Sequence, residues 1–169
     1  LDKLIKTGVD SLKIEGRSRS PFYAAAISRA YRLAIDAIAR NEDIPSESYQ
    51  IVNSIPSRGY TTGLLVPHRP DETQDYNTNA PSAGKWQIAG DITGRDEEGR
   101  LLITVKNRFE KGSKMKLFTP HGLLDLSCEH MVDDRDRPVD VAPGSGYFVK
   151  VPYASELDLN TTVLLRDDS

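Results

Sequence analysis

The stretch Trp86–Lys106, WQIAGDITGRDEEGRLLITVK, decides the fold. Trp86, Ile88, Gly90 and Ile92 alternate with Gln87, Ala89 and Asp91, and Leu101, Ile103 and Val105 alternate with Leu102, Thr104 and Lys106. Side chains of a strand point to opposite faces in turn, so a period of two marks a half-buried strand. The turn GRDEEGR (Gly94–Arg100) joins the two runs. Toward the C-terminus, Met115 and Leu117 follow the turn EKGSK, and Leu124, Leu126 and Cys128 alternate with Asp125, Ser127 and Glu129. Tyr147, Val149 and Val151, then Val163 and Leu165, complete the set. Six short strands between Gly, Pro and Asp turns, with no helical period, predict a mainly β fold: a small closed six-stranded barrel over residues 85–169.

Toward the N-terminus the texture changes twice. PHRPDETQDYNTNAPSAGK (Pro67–Lys85) is rich in Pro, Asn, Asp and Thr with little to bury, and residues 56–84 are expected to form an extended connector. Residues 1–55 alternate between helix and strand patterns. LDKLIKTG reads as a helix tail closed by Gly8. VDSLKIEG (Val9–Gly16) reads as a strand with Leu12 and Ile14 on one face and Ser11, Lys13 and Glu15 on the other. Ser20 and Pro21 are N-cap and first-turn chemistry for a helix to Arg40. Its expected apolar stripe is Tyr23, Ile27, Tyr31, Ala34 and Ile38. A shorter helix is expected over Ser46–Asn53. Helix, strand, helix within so few residues matches the last βα unit of a (β/α)₈ barrel.

Composition narrows the function classes. No apolar run reaches the roughly 18 residues that a membrane span requires, and a cytoplasmic location is the default expectation. A single Cys excludes a disulfide framework and a self-contained iron–sulfur or Cys-rich zinc site. A net charge of −3 gives no bulk attraction for nucleic acid, so binding of that kind needs a local patch.

Three segments carry a family resemblance: SLKIEGRSRSPFYAAAISRAYRLAID, SRGYTTGLL and HMVDDRDRPVDVAPGSGYFVKVP. They resemble the C-terminal portion of the collagenase-like peptidase family, the unassigned peptidase family thirty-two, and within it the tRNA-modifying branch. The resemblance implies an N-terminal (β/α)₈ barrel followed by a β-barrel similar to the second domain of elongation factors. It also implies hydroxylation of the wobble uridine of tRNA, supported by prephenate and an iron–sulfur cluster whose cysteines lie in the barrel. With only Cys128 present, the chain is read as a truncated member without catalytic residues or a cofactor of its own, assisting tRNA or substrate positioning. Its expected partners are tRNA, the barrel of the same protein and, through its uncovered helix face, a second copy. Two other readings stand beside it: a region that docks protein substrate for a collagenase-like peptidase, or a β-barrel that binds another protein.

Three groups are candidate contact residues. Lys13, Glu15, Arg17 and Arg19 end a strand before a helix N-terminus, whose free N–H groups favour anions, and are candidates for substrate binding. A Lys13–Glu15 ion pair is the purely structural reading of the same residues. Arg58 and Tyr60, in SRGYTTG, pair a phosphate contact with a stacking ring, or simply build a turn. Lys106, Arg108, Lys114 and Lys116 alternate against Val105, Met115 and Leu117, which predicts a basic hairpin face suited to RNA or a solvated face balanced by acids. No metal site is expected: Cys128 and His130 supply two ligands at most, on a strand facing the core. DDRDRPVD (Asp133–Asp140) lacks the Gly and terminal Glu of a calcium loop. PGSGYF reads as turn chemistry.

Overall fold

The computed structural model describes residues 1–56 and 84–168, and the chain divides into two compact units, Leu1–Lys85 and Trp86–Ser169. In the first unit, α1 (Asp2–Lys6) ends at Gly8, whose φ of +81° lets its N–H reach the Ile5 carbonyl at 3.0 Å. Helix α2 (Pro21–Ala39) starts as expected, with the Ser20 hydroxyl accepting the Tyr23 N–H at 3.2 Å. Helix α3 covers Ser46–Ser54.

Two expectations for this unit change. Val9–Gly16 joins no β-ladder, because a strand needs a neighbour for its N–H and C=O groups and the described residues of this unit supply none. The buried face of α2 is Phe22, Ala26, Ile27, Ala30, Ala34 and Ala37, whereas Tyr31 is exposed. Alanines take that face because α3 packs there. The Ser48 hydroxyl donates to the Ala30 carbonyl at 2.8 Å, the Arg29 guanidinium meets Glu47 at 2.8 Å, and Ile51 is fully buried. Larger side chains on α2 would hold the two backbones too far apart for that hydroxyl bond.

The second unit contains β1 (Trp86–Arg95), β2 (Leu101–Val105), β3 (Phe109–Glu110), β4 (Met115–Thr119), β5 (Gly122–Leu126), β6 (Val141–Ala142), β7 (Phe148–Val151) and β8 (Val163–Asp167). All six predicted strands form, and they make one antiparallel sheet in the order β5-β4-β8-β1-β2-β7. The sheet does not close into the expected barrel, since β5 and β7 remain edges. Other segments take the places that closure needs. Val132 exchanges backbone hydrogen bonds with Lys150 on β7, at 3.1 and 2.8 Å, and β3 pairs with β6 in a separate two-stranded sheet.

The core of this unit gathers Leu101, Ile103, Val105, Leu117, Val149, Val151 and Leu164, all at most 1% exposed. Each such side chain contributes about 1.5–3 kcal/mol of burial. A β-bulge between Ile88 and Gly90 shifts the alternation in β1, so Ala89 joins Ile92 in the core. Cys128 lies past the end of β5 and is buried, while His130 is exposed, so the two do not share a strand face. No helix among the described residues is long and apolar enough to cross a membrane.

Candidate functional site

The first candidate group sits on the approach to α2. Residues Gly16–Arg19 form a turn in which the Arg19 N–H donates to the Gly16 carbonyl at 3.0 Å and Ser18 adopts a left-handed φ of +64°. A non-glycine residue in that region is strained by roughly 1–3 kcal/mol and needs its surroundings to hold it. The Glu15 carboxylate does part of that, accepting the Arg17 N–H at 3.3 Å. The Lys13 ammonium stands 3.6 Å from Glu15, with both side chains largely exposed, so this pair is worth at most about 1 kcal/mol. Arg19 lies over the Tyr23 ring at 5.3 Å. Among the described residues, neither Arg17 nor Arg19 enters an ion pair. A groove of about 420 Å³ is lined by Leu12, Ile14, Ile27 and Tyr31 with Lys13 and Glu15, and by Tyr23, the ring that Arg19 covers. Uncompensated guanidinium groups next to an apolar groove can hold a small anion that carries a ring or an alkyl body.

The basic hairpin does not form. Strands β2 and β4 are separated by β1 and β8, three strand spacings or roughly 14 Å. Its cations are also matched by neighbouring carboxylates: Lys106 with Asp91 at 2.7 Å, Arg108 with Glu110 at 3.0 Å, and Lys116 with Asp125 at 2.8 Å. Lys114 is engaged as well. Arg58 and Tyr60, together with most of the expected connector, lie outside the described residues.

A second grouping was missed as a site. Asp133 is buried at the base of the turn 133–137. It accepts the Arg135 and Arg137 N–H groups at 2.9 Å each and the Arg137 guanidinium at 2.6 Å. That guanidinium holds the Asp133 carboxyl below the usual carboxylate range. Asp136, with φ of +60°, bridges Lys150 at 2.8 Å and Arg100 at 2.7 Å, and the Lys150 bond lowers its pKa first. At Asp96 desolvation acts upward, but the hydrogen bonds and charge of Arg100 outweigh it and the net shift is down. Together these bonds fix the turn. Against it lies a cleft of about 310 Å³ that Asp134, Arg135, Tyr147 and Phe148 also line. The sequence carried one signal for it: with Tyr147, Val149 and Val151 facing in, Phe148 has to face out.

Metal chemistry does not fit these residues. An iron–sulfur cluster requires several thiolates, and Cys128 is a lone, buried thiol pushed up to about 12, chiefly by desolvation. Among the described residues, no group of three or more His, Cys, Asp or Glu side chains is placed to hold a metal ion.

Residues 1–75 match the family described as Peptidase family U32, and residues 84–166 match the Peptidase family U32 C-terminal domain. The chain belongs to peptidase family U32. This U32 chain is 35% identical over 169 residues to the tRNA hydroxylation protein P of Escherichia coli strain K12, covering 100% of this chain and 37% of that protein. It is 36% identical over 168 residues to the tRNA hydroxylation protein P of Haemophilus influenzae, covering 99% and 36%. It thus spans little more than a third of the length of either relative. The crystal structure of the C-terminal domain of a U32-family protein from Geobacillus thermoleovorans aligns with 49% of this chain and 93% of its own, at 22% identity and a TM-score of 0.43.

Proposed function

We propose that this chain is the tRNA-contacting C-terminal part of a U32 protein that hydroxylates the wobble uridine of tRNA, and that it positions RNA without performing the chemistry. The observation that carries this reading is its match, along the entire chain, to proteins named for tRNA hydroxylation in two bacteria. Such work belongs in the cytoplasm, where tRNA resides. Residues 1–55 would serve as the closing βα unit of a barrel, in which Val9–Gly16 would gain strand neighbours. The uncovered apolar groove beside α2 supports that assignment. Lys13, Arg17 and Arg19 would then border the barrel mouth, with Glu15 holding the turn. The guanidinium groups of Arg17 and Arg19, which enter no ion pair among the described residues, suit prephenate or an RNA phosphate. The cluster would be held by the remainder of the parent protein, since Cys128 does not suit it.

The test is nucleoside analysis by mass spectrometry of tRNA from a strain lacking the parent gene. Loss of 5-hydroxyuridine derivatives, restored by the intact gene, is expected. An unchanged nucleoside profile would overturn the reading.

A further inference from the structure

The cleft between the turn 133–137 and the turn that leads into β7 has features that none of its structural bonds require. Phe148 is 55% exposed, among the most exposed large apolar side chains of the described residues. Solvating a benzyl group costs free energy that a polar residue at the same outward position would avoid. The turn opposite is fixed by Asp133 and Asp136, which between them engage Arg137, Arg100 and Lys150. Arg135 is the exception: only its backbone N–H is used, by Asp133, and its guanidinium enters no ion pair among the described residues. A rigid turn therefore presents one uncompensated guanidinium beside one exposed ring. Gly146 forms another part of the wall, with open space where a Cβ would stand, so the floor is left clear.

We propose that this cleft takes one unpaired RNA nucleotide, its base stacked on Phe148 and its phosphate held by Arg135. The inference rests on the tRNA reading above and adds a residue-level contact to it. Stacking on an aromatic ring accepts any base, because every base has a π face. The guanidinium fork matches a phosphate in two bonds. Asp134, at the same rim, carries a charge that opposes phosphate; as an acceptor it suits the exocyclic amino group of a base instead. At about 310 Å³ the cleft lies at the low end of the ~300–1,000 Å³ range of small-ligand pockets, which fits one nucleotide rather than a helix. A duplex keeps its bases stacked on one another and cannot offer a free face.

Fluorescence anisotropy with the whole chain tests this, using a labelled single-stranded RNA, the matching blunt duplex and bulk tRNA. The single strand is expected to bind more tightly than the duplex. F148A is expected to weaken single-strand binding about 5- to 100-fold, while F148W retains it. R135A is expected to weaken binding and to reduce the slope of log affinity against log salt by about 1. Because both side chains are exposed, unchanged melting curves for the variants confirm that folding is intact. If wild type binds tRNA and F148A binds it equally well, the cleft proposal falls and the tRNA reading stands. If wild type binds no RNA, both fall, and the exposed ring is left to an apolar protein segment.

Discussion

At Gly90 a missing side chain is a structural requirement. A Cβ there would stand 2.6 Å from the Thr104 carbonyl oxygen and 2.9 Å from a methyl of Ile103, where Gly90 pairs with Val105 at the end of the β1–β2 ladder. Neither neighbour can retreat without breaking strand pairing, so Gly90→Ala is expected to destabilise the protein by about 1–3 kcal/mol, read as a lower Tm. Gly94→Ala is the control: its Cβ would meet only a Leu102 methyl at 3.5 Å, an ordinary contact, and the Tm should move little. The turn carboxylates make a second prediction. Asp133 and Asp136 titrate below their ordinary value because cations hold them. A depressed carboxylate contributes stability that is fully present above the unfolded pKa near 4 and is lost as pH falls through the folded pKa. The Tm should therefore be level from about pH 7 to 5 and fall below about pH 4. Asp133→Asn should lower the neutral-pH Tm and flatten that acid limb. An acid limb identical to wild type would remove Asp133 from the account.

Among the elements, those specified by local chemistry were readable from residues alone. Ser20-Pro21 announced α2, Gly8 closed α1, and period-two runs marked all six strands of the main sheet. The buried face of α2 was readable only in part: Ile27 and Ala34 of the expected stripe are buried, but size rather than polarity selects the rest. Tyr23 and Tyr31 extend the apolar stripe yet stay half-buried and exposed, because α3 needs the close approach that Ala30 permits. Ala30→Leu is accordingly expected to force α2 from α3, at about 1–3 kcal/mol, although Leu is nearly as good a helix former as Ala. All described helices lie before Lys85, so the helical far-UV signal reports on this unit separately from the sheet. Melting of that signal at or above the wild-type temperature would mean the interface tolerates the added bulk. Barrel closure was illegible for a related reason. Whether β5 and β7 pair depends on where distant segments settle, and Val132 takes the β7 edge from 16 positions upstream of its start at Phe148.

For the whole molecule, charge decides which surfaces can attract RNA. With a net charge of −3, affinity has to come from cations that carboxylates have not already neutralised. Residue spacing placed Lys106 and Lys116 on one strand face but could not show their partners, since Asp91 and Asp125 reach them only through the register of neighbouring strands. Removing each pair together, as Lys106→Gln with Asp91→Asn and Lys116→Gln with Asp125→Asn, leaves the net charge unchanged. It should leave tRNA affinity and its salt dependence near wild type, because exposed pairs of this kind contribute roughly 0–1 kcal/mol to anything. Arg135→Ala removes a cation that enters no ion pair among the described residues and should reduce the salt slope by about 1. Titrating both variants over the same salt series compares the two surfaces directly. Should pair removal weaken binding as much as Arg135→Ala does, the lysines would carry the phosphate contact and the cleft would not.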